Sequence, residues 1–141
     1  MEYGIAFWDG SSSADSIFIL QKRAIRSIFL LDSRSSCRGL FKSNKILTFY
    51  GSFILRLLSL FHHYSHTFPS HAHSYSTRGG GRLIIPRVNH TSYYYLGVTL
   101  YNKIPAELKS LNQKLFIDNL KKILIELEPY TIEDFNSANL T

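Results

Sequence analysis

Five histidines crowd one stretch of this sequence: His62, His63, His66, His71 and His73. His62 and His66 are four residues apart, a spacing that can put two imidazoles on one helix face and that zinc accepts. A catalytic zinc would also want a carboxylate close by, and the nearest in sequence are Asp32 and Glu107. Cys37 is the only cysteine, so neither a two-thiolate metal site nor an intrachain disulfide can form. The cluster reads as a helix end running into a polar loop. No metal ligand set is assigned.

Other catalytic constellations fail on order or spacing. No Gly-x-Ser-x-Gly occurs, so the serines and histidines lack the turn that exposes a nucleophile. The run Arg78-Gly-Gly-Gly-Arg82 lacks the glycine–lysine order of a phosphate-binding P-loop. Asp118, Glu126, Glu128, Glu133 and Asp134 read as helix-surface and capping residues. No catalytic residue and no small-molecule substrate are assigned.

The basic residues carry a stronger signal. Residues 33–106 hold nine Lys and Arg and no Asp or Glu, whereas the 32 residues before them hold three bases and four acids, and the 35 after them four bases and six acids. A one-signed stretch of this length attracts polyanions. Arg78, Arg82 and Arg87 follow one another at gaps of four and five residues. An extended chain with that spacing can track a phosphate backbone, and the guanidinium fork suits phosphate oxygens. The three glycines between the first two remove the Cβ atoms that would keep main chain away from phosphates. Lys22, Arg23, Arg26, Arg38, Lys42 and Lys45 complete the candidate phosphate contacts. Tyr75, Tyr93 and Tyr94 are candidates either for stacking on bases or for the core.

These residues need elements to hold them. The composition, 45% hydrophobic and 18% charged over 141 residues, fits one globular unit. Ile17, Leu20, Ala24, Ile28 and Leu31 repeat at helical steps, predicting a helix over 17–31 started by Asp15 or Ser16. A short turn near 40–44 precedes a helix of about fifteen residues capped by Thr48 and apolar on nearly every side, which must be sandwiched. Residues 65–91 show no helical period. Further helices are predicted from Ser92, from Pro105, from Asn112 with the stripe Phe116, Leu120, Ile123, Leu124 and Leu127, and from Thr131 with Asp134. An ion pair between Asp118 and Lys122 is expected along the third of these. The fold class is mainly α: four to five helices in a small bundle with a long basic loop. Three regions result, a helical 1–64, a basic His/Ser/Gly-rich loop 65–91 and a helical 92–141.

Three blocks in order resemble a known family. They are Tyr3–Ile28 ("YGIAFWDGSSSADSIFILQKRAIRSI"), Cys37–Thr48 ("CRGLFKSNKILT") and His73–Lys109 ("HSYSTRGGGRLIIPRVNHTSYYYLGVTLYNKIPAELK"). Together they are similar to the segment that follows the polymerase core in reverse transcriptases of non-LTR, jockey-like or LINE-type retrotransposons. The family pattern falls on Tyr3, Gly4, Ile5 and Trp8, on Leu20 to Arg26, and on Cys37 and Phe41. It continues over His73, Tyr75, Thr77, Arg78, Leu83 and Pro86, then Tyr93 or Tyr94, Gly97, Leu100, Tyr101, Asn102, Ile104 and Pro105. Tyr101 stands where the family commonly has Trp, and Ile104 where it has Leu; both remain apolar. The family's aromatic-Ala-Asp-Asp turn, which holds catalytic Mg²⁺, has no counterpart, because no Asp-Asp occurs.

The resemblance implies a thumb-like helical region over 1–64, truncated on its N-terminal side, and a non-catalytic fragment of an RNA-directed DNA polymerase that grips the template–primer. The expected partners are an RNA or DNA duplex and the missing upstream polymerase core. No cofactor is expected in this chain, with Mg²⁺ belonging to the parent polymerase. The expected origin is an open reading frame from a truncated transposable-element copy, or a gene model that begins late. Without a signal-peptide pattern or an apolar run of membrane length, the expectation is a nuclear or cytoplasmic protein, neither secreted nor membrane-bound. Two rival readings stand beside it: a helical protein-interaction module binding an acidic partner, and a decayed copy without function.

Overall fold

The apolar segment after Thr48 forms the central helix of a computed structural model that describes residues 12–70, 82–87 and 92–140. Among these residues the elements are α1 (Ser12–Ile28), α2 (Leu40–Ser43), α3 (Phe49–His63), a 3-10 turn (Ser65–Thr67), α4 (Tyr93–Lys103), α5 (Ala106–Lys109), α6 (Gln113–Leu127) and α7 (Ile132–Ser137). The class is mainly α, as expected. Four of these helices are long, and no strand beyond the isolated bridge Ser70–Leu83 occurs among the described residues.

α3 buries one broad arc, with Phe53, Ile54, Leu57, Leu58 and Phe61 all entering the core, while Arg56, Leu60 and His63 stay exposed along the remaining strip, so the helix is not covered all round as its composition suggests. α6 runs antiparallel to it and supplies Phe116, Leu120 and Leu124, all fully buried. α4 crosses the same helix with Val98, Leu100 and Tyr101, and Phe135 of α7 closes the core. Helices from the first and last sequence regions therefore share one core. A second cluster joins Ala14, Phe18 and Ile25 of α1 to Cys37, Phe41 and Phe49.

Local signals place most helix starts. Thr48, Ser92 and Asn112 each accept a backbone N–H three residues on. Thr131 and Asp134 form a complete capping box. α6 stops at Leu127, where Glu128 turns left-handed before Pro129. The ion pair expected between Asp118 and Lys122 does not form; among the described residues the ion pair is Lys42–Glu126.

α1 departs from expectation. It begins at Ser12, so Asp15 lies in its first turn, and it ends at Ile28. Leu30 takes a left-handed conformation (φ 51°), and the Leu31 N–H bonds the Arg26 carbonyl at 2.8 Å, closing the helix as glycine commonly does. The predicted stripe is largely exposed: Leu20 is 59% and Ile28 68% accessible. The buried arc is the neighbouring one, Ala14, Phe18 and Ile25. The apolar arc of α1 is broad enough to hold two stripes, and periodicity alone does not say which one meets α3.

Candidate nucleic-acid interface

The candidate cations fall into two groups, one at each end of the α3–α6 pair. α3 has 15 residues, so at 1.5 Å per residue the groups lie about 22 Å apart along its axis.

At the N-terminal end of α3, a single glutamine sets the arrangement. Gln21 Nε2 donates to the Leu47 carbonyl at 3.0 Å, and Gln21 Oε1 accepts the Phe49 N–H at 2.7 Å. This amide fixes α1 across the start of α3. The 33–39 loop is then strapped to α1: Arg26 Nε donates to the Ser35 carbonyl at 2.8 Å, and Cys37 Sγ donates to the Lys22 carbonyl at 3.6 Å. Lys22 comes to lie over the Phe18 ring (4.6 Å to its centroid) and, at 5.8 Å, over Tyr130. The Arg38 guanidinium lies over the other ring, 4.3 Å from the Tyr130 centroid. Phe18 and Tyr130 meet edge to face at 4.8 Å. Two cations on an edge-to-face aromatic pair are each stabilised by about 0.5–1 kcal/mol where exposed.

This end is not free of carboxylates, which corrects the expectation of unopposed charge. Lys42 Nζ pairs with Glu126 at 2.7 Å, and the hydrogen bond to Glu126 holds the ammonium above its ordinary pKa. Both oxygens of Glu128 accept the Gly39 N–H, at 2.9 and 2.8 Å. Arg38 borders a groove shared with Glu128, Glu133 and Asp134. Sequence distance hides this closeness, because α6 runs back along α3 and returns residues 126–134 to its start. Arg23 and Lys45 are exposed without an ion pair among the described residues, Lys45 in a left-handed conformation (φ 55°).

Toward the other end lies Arg82, next to the Leu83 that bridges Ser70 beyond α3; Arg82 and Arg87 are both exposed. Arg78 and Tyr75 lie outside the described residues. The two candidate tyrosines of α4 serve the core: Tyr93 packs on Phe53 with centroids 6.2 Å apart, and Tyr94 on Phe68 at 5.5 Å and Phe61 at 6.1 Å. Their alternative as stacking platforms gives way to this packing.

His62 is committed to structure. Its ring stacks on Phe116 at 3.9 Å, Nε2 lies 2.9 Å from the Leu111 carbonyl and Nδ1 3.1 Å from Tyr101 Oη. The carbonyl can only accept, so Nε2 carries a proton; in the neutral ring Nδ1 then accepts from the tyrosine. His66 is exposed on the 3-10 turn, and His71 and His73 lie outside the described residues. Among the described residues no three His, Cys, Asp or Glu side chains converge, and no helix is long and apolar enough to cross a membrane.

Sequence reasoning overlooked Tyr130 and Lys109, and named Gln21 only within the Leu20–Arg26 block without its structural role. Gln21 and Tyr130 had no local signal, since their partners are remote in sequence. Lys109 lies just beyond the acid-free stretch that drew attention. Comparison with protein-family models, with curated proteins and with solved structures finds no match.

Proposed function

We propose that this chain is a non-catalytic nucleic-acid-binding region of a non-LTR reverse transcriptase, gripping a template–primer duplex by its phosphates while a polymerase core elsewhere performs RNA-directed DNA synthesis. The observation that carries the reading is the charge distribution: nine bases and no acid over residues 33–106. The exposed Arg23, Arg82 and Arg87 support it, as does the order of the residue blocks similar to that family. Phosphate contacts of this kind position a protein without reading bases.

Fluorescence anisotropy with an RNA–DNA duplex tests it. With about four phosphates neutralised, log K should fall against log salt with a slope of roughly −3 to −4. Arg78→Ala combined with Arg82→Ala should weaken binding about equally on unrelated sequences. Absence of binding at low ionic strength, or indifference to salt, would refute the reading.

A second reading has one observation in its favour. Leu20 and Ile28 leave an apolar arc of α1 exposed, and Leu30 and Leu31 just beyond the helix are exposed too, Leu30 93% accessible. Exposed apolar side chains grouped in this way suit a protein partner. Displacement of bound ligand by an acidic polypeptide but not by a nucleic-acid homopolymer would favour that alternative.

A further inference from the structure

Gln113, at the start of α6, reaches across to the later half of α3. Its Nε2 donates to the Ser59 carbonyl at 2.9 Å and to Ser59 Oγ at 3.1 Å. The two helices run antiparallel, so each turn onward along α6 meets one turn back along α3. Ile117 and Lys121 follow Gln113 at four-residue steps, while Arg56 and Ser52 precede Ser59 by three and seven residues on one face of α3. These side chains line an open groove of about 340 Å³ between the helices. Its apolar part is Leu47, Leu55 and Ile117, all of which pack against the main core.

Arg56 and Lys121, one from each helix, are the charged residues of this groove, and among the described residues no carboxylate lines it. Asp118, next to Ile117 in the chain, forms no ion pair among those residues. The groove at Arg38 is the opposite case, with Glu128, Glu133 and Asp134 along it. Other cations are already engaged. Lys42 is paired with Glu126, Lys22 and Arg38 lie over Phe18 and Tyr130, and Lys109 Nζ lies 5.0 Å from the Tyr101 centroid. Arg56 and Lys121 are exposed and enter no such contact among the described residues.

These walls suit an occupant that is anionic on one side and apolar on the other. A guanidinium fork and a compact ammonium can share the two non-bridging oxygens of a phosphodiester. Serine hydroxyls are common donors to phosphate as well. Ser59 Oγ already accepts from Gln113, so its own proton remains to be donated. The carbon skeleton of the attached sugar would meet Leu55 and Ile117. No aromatic ring lines the groove, so it offers no platform for stacking a base. We propose that the α3–α6 groove seats one sugar–phosphate unit of the gripped nucleic acid, with Arg56 and Lys121 on the phosphate. This rests on the nucleic-acid reading above and names a contact within it.

The test compares the full chain with Arg56→Gln, Lys121→Gln and Ser52→Phe, and with Lys42→Gln as a control; circular dichroism checks that each variant folds. Duplex binding is measured by anisotropy from about 50 to 200 mM salt. Arg56→Gln and Lys121→Gln should each flatten the salt slope by about one, the loss of one phosphate contact. Ser52→Phe keeps both charges and fills the groove. It should weaken binding about as much as Arg56→Gln, an outcome that a diffuse positive field would not produce. Lys42→Gln should leave binding unchanged.

A second arm titrates the thymidine dinucleotide, with its single phosphodiester, and follows the methyl groups of Leu55 and Ile117 by NMR. Saturable shifts, lost in Arg56→Gln and in Ser52→Phe, are expected. If the wild type binds duplex but Arg56→Gln and Lys121→Gln keep its full slope, the groove is not a contact and the broader reading survives. If the wild type binds no duplex while the dinucleotide still shifts both residues, the broader reading falls and a sugar–phosphate site remains. Shifts with polyglutamate but not with the dinucleotide would overturn the assignment in favour of an acidic protein partner.

Discussion

Gly97 of α4 lies so close to Phe61 of α3 that a methyl group in its place would come within 2.1 Å of the ring. The ring has nowhere to retreat, being stacked on Phe68 at 4.7 Å with Tyr94 alongside and only 5% exposed. The glycine is thus an approach site between two helices rather than a turn. Gly97→Ala should destabilise the protein by about 2–3 kcal/mol, the upper range for overpacking a dense core. Urea unfolding would measure this, starting from a wild type that unfolds in one cooperative transition. Phe61→Leu in the same background should recover part of the loss, since the clash is with the ring. A variant as stable as wild type would mean that α3 and α4 do not meet here.

Thr48 makes two hydrogen bonds from one hydroxyl while 1% exposed. Its Oγ1 donates to the Pro129 carbonyl at 2.6 Å and accepts the Gly51 N–H at 2.9 Å. The first joins the start of α3 to the end of α6, and the second caps α3. Thr48→Val keeps the shape and strands both partners in the interior, so a loss of about 2–3 kcal/mol is expected. Thr48→Ser should retain most of the stability. Equal losses in the two variants would assign the effect to packing of the methyl instead.

Tyr130 should make the protein sensitive to alkali. Burial first, then the nearby charge of Glu128, raises its pKa to about 12, against the pull of Arg38 and Arg26. An unfolded tyrosine titrates near pH 10. A proton held more tightly in the fold contributes stability that is complete below about pH 10 and is lost as pH climbs through 12. Tyr50, raised by burial and by its hydrogen bond to Asp15, acts in the same direction. Melting temperature should therefore fall between pH 10 and 12. Tyr130→Phe should soften that fall, and at neutral pH it should cost nothing, because the buried hydroxyl has no hydrogen-bond partner among the described residues.

Lys42 and Arg23 are both basic, exposed candidates, yet they should behave differently toward a polyanion. Lys42 is already paired with Glu126, while Arg23 has no such pair among the described residues. Arg23→Gln should weaken duplex binding at low salt, and Lys42→Gln should not. Glu126→Gln should strengthen binding by releasing the lysine. Identical behaviour of the two lysine- and arginine-directed variants would show that proximity of a carboxylate does not govern which cations are available.

The capping residues were legible because a cap is a contract between neighbours. Thr48 with Gly51, Ser92 with Tyr95, Asn112 with Leu115 and Thr131 with Asp134 each bond three residues on. Chain order alone brings such pairs together. The same holds for the apolar stripe of α6 and for the core position of α3, although not for the strip of Arg56, Leu60 and His63 that α3 leaves exposed.

The sequence by itself therefore determined the helical class, most helix starts and the excess of positive charge in the middle of the chain. The tertiary structure alone decided which arc of α1 is buried, that carboxylates from residues 126–134 reach Lys42 and Gly39, and that the Asn102 side chain holds Leu83. Hydrogen bonds along a helix depend on separations of three or four residues. Burial and Coulomb interactions depend on distance in space, and the antiparallel return of α6 along α3 and the Asn102 clamp set those distances between residues far apart in the chain.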